Sequence, residues 1–124
     1  MTRSLLLATL LVLVSSAAMA QDAVKADPQH YKVDMENDHV RVLRIHYGAH
    51  EKSVMHEHPA SVAIFLSDGN VKFTTPDGKT TESHIKSGQA IWEAPGKHLP
   101  ENPGDKPFDL ILVELKTPKY ATAH

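Results

Sequence analysis

Two histidines separated by one residue, His56 and His58, form the pair in this chain whose spacing is most suggestive of chemistry. Because side chains alternate faces along an extended strand, both imidazoles project from one face and Glu57 projects from the other. Two neutral imidazoles spaced in this way can bind a single transition-metal ion. A His-x-His pair is a weak signal by itself, and a solvated strand face is the alternative interpretation.

A second stretch strengthens the metal-site hypothesis. Residues 88–102 read GQAIWEAPGKHLPEN, and residues 48–69 begin and end with glycine around the first histidine pair. Together the two stretches resemble the paired motifs of the cupin superfamily. The matching positions are Gly48, His56, His58 and Gly69 in the first motif, and Gly88, Pro95, Gly96, His98 and Asn102 in the second.

The resemblance covers about residues 38–116 and implies an all-β, single-domain jelly roll, the double-stranded β-helix. It further implies that His56, His58 and His98 meet at the mouth of the barrel and bind a divalent metal ion. Fe, Mn, Ni, Cu and Zn all accept imidazole ligands, so the identity of the ion stays open.

One position departs from the family motif. Counted back from Gly69, the family's glutamate ligand falls at Val62. Strand alternation then predicts that Val62, Ile64 and Leu66 share the inward face, beside an apolar pocket wall. A site of three histidines without the carboxylate is less negative and leaves more coordination positions for water or substrate. Four further side chains are candidates for the pocket wall or for ordinary core: Met55, Phe65, Phe73 and Trp92.

The pattern of short strands and turns predicts an all-β fold independently of the resemblance. Val40–Tyr47 alternates, with Leu43, Ile45 and Tyr47 on one face. Turn signals recur about every ten residues, a spacing typical of sandwiches and barrels. We predict hairpin turns at residues 67–70 and 76–79 and a further turn at residues 86–89.

The first twenty residues have the features of a secretory signal peptide. A basic start at Arg3 precedes the apolar run 5–14, and Ala18-Met19-Ala20 provides a small-residue cleavage signal. The apolar run is shorter than the about 20 residues that a membrane span needs. We therefore expect a periplasmic or secreted protein with no membrane association after cleavage. The domain prediction is 1–20 signal peptide, 21–37 N-terminal segment, 38–116 cupin domain and 117–124 C-terminal tail.

Composition restricts the remaining chemistry. The chain of 124 residues suits one domain, and its net charge of −2, without a basic cluster, argues against nucleic acid as a partner. The absence of cysteine excludes thiolate metal sites and cysteine nucleophiles. Six of the nine histidines lie outside the motifs and are expected at the surface: His30, His39, His46, His50, His84 and His124.

Two functions of different class follow from these residues. The first is a metal-dependent enzyme of the dioxygenase type that acts on a small organic molecule. The second is a non-catalytic module that binds a metal ion or a small ligand. A sugar isomerase or epimerase is disfavoured, because the sequence shows no obvious histidine–carboxylate couple for general acid and base. Edge strands need cover, and we expect a homodimer that pairs through its sheet edges.

Overall fold

The computed structural model describes residues 21–117, which form nine β-strands and one short helix. The elements are α1 (Ala23–Ala26), β1 (Tyr31–Glu36), β2 (Val40–Tyr47), β3 (His56–His58), β4 (Ser61–Phe65), β5 (Gly69–Thr74), β6 (Thr80–Ile85), β7 (Ala90–Glu93), β8 (Gly96–Glu101) and β9 (Phe108–Leu115).

The strands form two antiparallel sheets that enclose the core. The five-stranded sheet has the order β1-β2-β9-β4-β7, and the four-stranded sheet has the order β3-β8-β5-β6. From β2 onward the chain passes from one sheet to the other at every connection except the β5–β6 hairpin, as expected for a jelly roll. The all-β, jelly-roll prediction is confirmed.

Alternation along the strands decides which side chains enter the core. In β2 the predicted face of Leu43, Ile45 and Tyr47 is buried, whereas Arg44 and His46 are exposed. Strand β9 alternates in the same way, since its residues pair with those of β2 one by one over the whole length. The central strand β9 and its neighbour β2 therefore present matching apolar faces to the core.

Two of the predicted turns are confirmed and one is wrong. Residues 76–79 close the β5–β6 hairpin, where Gly78 has a φ of +85°, and residues 86–89 form a turn with Gly88 at +80°. Residues 67–70 do not close a hairpin, because β4 and β5 belong to different sheets. A glycine is needed at position 69 because the Phe108 side chain packs closely against it. A Cβ atom at this position would lie 3.0 Å from the Phe108 side chain.

The leading segment that follows residue 20 is part of the packed structure. It contains α1, and the side chain of Ala23 is completely buried. The N–H of Glu57 donates to the carbonyl of Gln21 at 2.9 Å, and Asp22 pairs with Arg41. These contacts attach the start of the described chain to β3 and β2.

The remaining predictions about the chain ends concern residues that the structure does not describe. The signal peptide, residues 1–20, lies outside the described residues, and so does most of the C-terminal tail, residues 118–124. Between residues 21 and 117, no helix is both long enough and apolar enough to cross a membrane.

Candidate metal centre

Strands β3 and β8 bring the three motif histidines together. His56 pairs directly with His98 across the antiparallel ladder, and His58 follows two residues later on the same face of β3. One ring nitrogen of each histidine lies within 4.8 Å of the others. His56 and His58 are almost completely buried, with 1% and 5% of their surface exposed. The predicted grouping of the three imidazoles is therefore present.

In His56 and His58, hydrogen bonds made by Nδ1 leave Nε2 as the nitrogen that can bind a metal ion. His56 Nδ1 donates to the carbonyl of Val54 at 2.8 Å, and His58 Nδ1 donates to Glu114 Oε2 at 2.8 Å. Both partners are acceptors, so the proton of each neutral ring lies on Nδ1 and the lone pair lies on Nε2. The two Nε2 atoms are 2.9 Å apart. Two lone pairs at this separation repel each other unless a cation lies between them.

His98 completes a donor set that fits a metal ion. Its Nε2 atom is buried and has no hydrogen-bond partner among the described residues. A buried nitrogen without a partner is costly, and coordination would remove that cost. Metal–nitrogen bonds are about 2.0–2.1 Å long, so nitrogens bound at right angles lie about 3 Å apart, close to the His56–His58 separation. The His56–His58 pair therefore fits a first-row divalent ion, and the ring nitrogen of His98, which lies within 4.8 Å of both, could become the third ligand by a small shift toward the ion.

Burial keeps two of these histidines neutral. Desolvation, assisted by the neighbouring His58, lowers the pKa of His56 to about 4 and the pKa of His98 to about 3. A neutral imidazole is the form that binds metal, because protonation occupies the lone pair. At neutral pH both rings are therefore ready to coordinate.

The buried carboxylate of Glu114 orients the His58 ring by bonding to Nδ1, the nitrogen that is not directed toward His56. Glu114 is 2% exposed and also accepts a hydrogen bond from Arg41 Nε at 2.6 Å, while Arg41 pairs with Asp22. Burial by itself raises the pKa of Glu114, but the hydrogen bonds from His58 and Arg41 outweigh it and lower the pKa below its usual value. An ionised carboxylate on Nδ1 holds the ring in place and makes Nε2 a stronger ligand.

A small apolar cavity of about 40 Å³ adjoins the centre. Phe73 stacks on His98 with ring centroids 5.0 Å apart, and Tyr31 meets His56 edge-on at 4.8 Å. The cavity is lined by Tyr31, Ile45, Tyr47, His58, Ala63, Phe65, Val71, Phe73, Glu93, His98, Pro100, Phe108, Leu110 and Leu112.

Only part of the predicted pocket wall is confirmed. Phe65 and Phe73 line the cavity as expected. Trp92 does not, since it is 60% exposed on the other face of its strand, and Met55 is not among the lining residues.

The inward placement predicted for Val62 is wrong. Ser61, Ala63 and Phe65 form the buried face of β4, and Val62 pairs with Val113 and Trp92 on the outer face. The break between β3 and β4 at residues 59–60 explains the error, because it changes the phase of the alternation after His58. A carboxylate at position 62 would point away from the metal centre.

Two acidic residues of the site were missed from the sequence. Glu114 lies 56 residues after His58 and accepts a hydrogen bond from its ring. The two residues form a histidine–carboxylate couple. The sequence had indicated no such couple, so that prediction is wrong. The signal of Glu114 was present in β9, where it follows Phe108, Leu110 and Leu112 on the buried face. Glu93 pairs with Ser61 and lines the cavity, and burial raises its pKa. No local pattern marked it.

The histidines outside the motifs are mostly where they were predicted to be. His39, His46, His50 and His84 are exposed, which confirms the prediction, and His124 lies outside the described residues. His30 is an exception, since only 6% of its surface is exposed. It is buried because Asp27 and Glu51 both bond to its ring and Tyr47 stacks on it.

Comparison with known proteins identifies the fold. No protein-family model and no curated protein matches the sequence. Among solved structures, a cupin domain from Bordetella pertussis Tohama I is similar with 24% identity and a TM-score of 0.65, covering 70% of this chain and 92% of the other. An RmlC-like cupin family protein with a double-stranded β-helix fold from Methanocaldococcus jannaschii is 19% identical, with a TM-score of 0.59 and coverage of 75% and 84%.

A third similar structure is a conserved protein with a double-stranded β-helix domain from Klebsiella pneumoniae, with 24% identity, a TM-score of 0.57, and coverage of 74% of this chain and 78% of the other. The two-sheet architecture and these three likenesses agree with one another. The resemblance drawn from the two motifs is thus confirmed at the level of the fold. The chain has the double-stranded β-helix fold of the cupin proteins.

Proposed function

We propose that this chain is an exported small cupin that binds one divalent transition-metal ion through His56, His58 and His98. We further propose that it is a metal-dependent enzyme of the dioxygenase type, acting on a small organic substrate. The observation that carries the proposal is that one ring nitrogen from each of three histidines lies within 4.8 Å of the others. The Nδ1 atoms of His56 and His58 are hydrogen-bonded to other groups, which leaves their Nε2 atoms for the ion.

The chain's own residues would perform defined tasks around such an ion. Three imidazoles leave coordination positions open, and a bound ion supplies Lewis acidity or redox chemistry there. Glu114 holds the ring of His58, and the aromatic rings of Tyr31 and Phe73 exclude water from the imidazoles. Glu93 provides a carboxyl group on the cavity wall that can exchange a proton with a ligand.

The cavity supports a substrate that is small and largely apolar. Its volume of about 40 Å³ has room for about three water-sized groups. Its wall is aliphatic and aromatic apart from the two histidines, Glu93 and the tyrosine hydroxyls. A larger molecule could enter only if side chains such as Phe73 moved aside.

The alternative is a non-catalytic module that holds the metal ion or a small ligand. The near-complete burial of His56 and His58 favours it, because a structural or stored ion needs no access from solvent. An isomerase or epimerase remains disfavoured. The carboxylate of Glu114 bonds to His58 and Arg41, which leaves Glu93 as the carboxyl group on the cavity wall, whereas such an enzyme needs both a positioned acid and a positioned base.

Metal titration of tag-free protein tests the proposal. Metal-free protein is titrated with Mn(II), Fe(II), Ni(II), Cu(II) and Zn(II), and oxygen uptake is then followed with a panel of small compounds that offer two oxygen donors. We expect one ion per chain in the parent and in the exposed control His84→Gln, and strongly weakened binding in His98→Gln. Binding with oxygen uptake supports the enzyme, and binding without uptake supports a module that holds the metal ion. No binding contradicts the enzyme and the metal-binding module, and leaves a module that holds a small ligand.

Export is tested separately from metal binding. The expectation rests on residues 1–20, and a mature chain should begin at Gln21. Intact-mass measurement of the protein from the periplasm or the medium gives the answer directly. Retention of residues 1–20 in that material would contradict the proposal of a cleaved signal peptide.

A further inference from the structure

We propose that a short segment at the start of the described chain, residues 21–26, regulates metal binding through a series of three charged side chains. We call residues 21–26 the docking segment. Its Asp22 bonds to Arg41 of β2, and Arg41 bonds in turn to Glu114 of β9, which bonds to His58. We call this series of bonds the charge relay. The proposal rests on the proposed function, since it adds a positioning residue, Asp22, to the same metal centre.

The charge relay is continuous from the docking segment to the ring of His58. Asp22 accepts two hydrogen bonds from the end of the Arg41 guanidinium, one of them at 3.2 Å. Arg41 Nε donates to Glu114 Oε1 at 2.6 Å, and His58 Nδ1 donates to Glu114 Oε2 at 2.8 Å. The guanidinium is planar and rigid, so a bidentate contact at its end also fixes the direction of Nε. Asp22 therefore sets the position of the cation that bonds to Glu114.

The charges along the relay alternate in sign. Burial raises the pKa of Asp22, but the hydrogen bond and the charge of Arg41, together with backbone N–H groups of α1, outweigh it and lower the pKa. At neutral pH two carboxylates thus share one guanidinium, and each is bound less strongly than it would be alone. Asp22 leaves more of the negative charge of Glu114 for the His58 Nδ1–H. A stronger acceptor at Nδ1 makes Nε2 a better metal ligand.

The docking segment closes the seam between the two sheets. β1 is an edge strand of the five-stranded sheet and β3 is an edge strand of the four-stranded sheet, and α1 contacts both. Ala23 belongs to the buried core, and the N–H of Glu57 donates to the carbonyl of Gln21 at 2.9 Å. The charge relay is complete only when the segment lies in this place. Docking of the segment and the ligand strength of His58 are therefore coupled.

Few contacts hold the docking segment, so it can open while the core stays folded. α1 has only four residues, and Ala23 is its one buried residue. The side chains of Asp22 and Arg41 remain 29% and 19% exposed. Segments with few buried apolar contacts open at the lowest free-energy cost. Linkage then makes the coupling reciprocal: docking strengthens metal binding, and a bound ion strengthens docking by the same factor.

Asp22→Asn tests the relay while it keeps the shape of the side chain. The matched control is Asp34→Asn, because Asp34 pairs with Arg44 at 3.1 Å on the same sheet and Arg44 has no bond to Glu114. Zn(II) affinity of the full chain is measured against a competing chelator. We expect Asp22→Asn to lower it about three- to tenfold, less than the loss of a direct partner of the ligand. Asp22→Glu should restore the affinity, and Asp34→Asn should leave it unchanged.

The outcomes separate this proposal from the proposed function. Binding by the parent with equal affinity in Asp22→Asn would overturn the charge relay and leave the metal centre intact. No binding by the parent would overturn the proposed function and the relay with it.

Two further readouts distinguish the relay from a general loss of stability. The His58 Nδ1–H proton of the Zn(II)-loaded protein is followed by NMR, and its resonance moves upfield when the hydrogen bond to Glu114 weakens. We expect this shift in Asp22→Asn and not in Asp34→Asn. In a Glu114→Gln background the relay is already interrupted, so Asp22→Asn should change the affinity less than about twofold. An unmoved resonance, or the full effect in that background, would overturn the relay.

Hydrogen exchange tests the coupling in the opposite direction. The N–H groups of Ala26 and Asp27 donate to the carbonyls of Asp22 and Ala23 at 2.8 Å, so their exchange reports on α1. We expect Zn(II) to slow the exchange of these two amides at least about threefold in the parent and not in Asp22→Asn. Equal exchange with and without Zn(II) in the parent would overturn the regulatory role of the docking segment.

Discussion

The fold contains two buried histidine environments that differ in how the ring nitrogens are used. His30 directs Nδ1 to Asp27 at 2.6 Å and Nε2 to Glu51 at 3.0 Å, while its ring stacks on Tyr47 at 4.4 Å. In the motif pair, the Nδ1 atoms of His56 and His58 have acceptors, and the two Nε2 atoms face each other.

The difference teaches that burial alone does not identify a metal ligand. Each ring nitrogen of His30 faces a carboxylate oxygen, so neither nitrogen is directed toward a position that a metal ion could take. The motif histidines keep their lone pairs, and the neighbouring His98 nitrogen has no partner among the described residues. One cluster therefore stabilises the fold, and the other is organised to bind an ion. Ser53 links them, since its Oγ donates to Asp27 at 2.6 Å and lies 3.4 Å from His56 Nδ1.

The largest expected effect separates stability from metal binding. His30→Ala leaves the buried carboxylate of Asp27 without its imidazole partner and should lower the free energy of unfolding by about 3–5 kcal/mol. Metal affinity should stay within about threefold of the parent, because His30 is not among the three candidate ligands. Urea denaturation and metal titration of the same samples measure both quantities. The exposed control His39→Ala should change stability by less than about 0.5 kcal/mol. If His30→Ala abolished metal binding, the distinction between the clusters would fail.

The pH dependence of the metal-free protein comes next in size. The pKa values of His56 and His98 are about 4 and about 3 when folded, below the ordinary 6.5. Below pH 6.5 the unfolded chain binds these protons and the folded chain does not, so stability falls as pH falls. At about 1.4 kcal/mol per pH unit, each imidazole contributes a loss of roughly 2 kcal/mol between pH 6.5 and 5.

Chemical denaturation at a series of pH values measures this slope, and His98→Gln should make it shallower. Glu93 contributes with the opposite sign, because burial raises its pKa, and a Glu93→Gln background removes that contribution. Stability that did not change between pH 6.5 and 5 would show that the motif histidines are not held neutral.

The smallest expected effect is on metal affinity, and it concerns Glu114, which bonds to His58 Nδ1. Glu114→Gln keeps the shape of the side chain but removes the negative charge that faces His58 Nδ1. Losing such a partner lowers metal affinity by about 10–100-fold. Isothermal titration with Zn(II) measures the change, and the exposed strand residue Glu82 provides the control Glu82→Gln. An affinity equal to that of the parent would show that Glu114 supports only Arg41 and the fold.

Local patterns of the sequence were sufficient for most of the fold. The alternation in β2 and the Asp77-Gly78 turn depend on residues close together in the chain, and both predictions are confirmed. The grouping of His56, His58 and His98 was implied by the resemblance to the cupin motifs, and it is present because the two motifs fall on strands that pair directly.

The errors arise where distant strands decide the outcome. The phase of β4, and with it the outward direction of Val62, depends on register with β9 and β7. The burial of His30 depends on Glu51 and Tyr47, and the couple of His58 with Glu114 spans 56 residues. Contacts between segments so far apart leave no periodic signal in a single sequence.

X-ray absorption at the zinc edge tests the central claim most directly, because the scattering pattern of imidazole rings counts the histidines bound to the ion. The account predicts three imidazoles in the Zn(II)-loaded parent and in His30→Gln, and two in His98→Gln. Fewer than three imidazoles in the parent, or a loss in His30→Gln that is absent from His98→Gln, would contradict it.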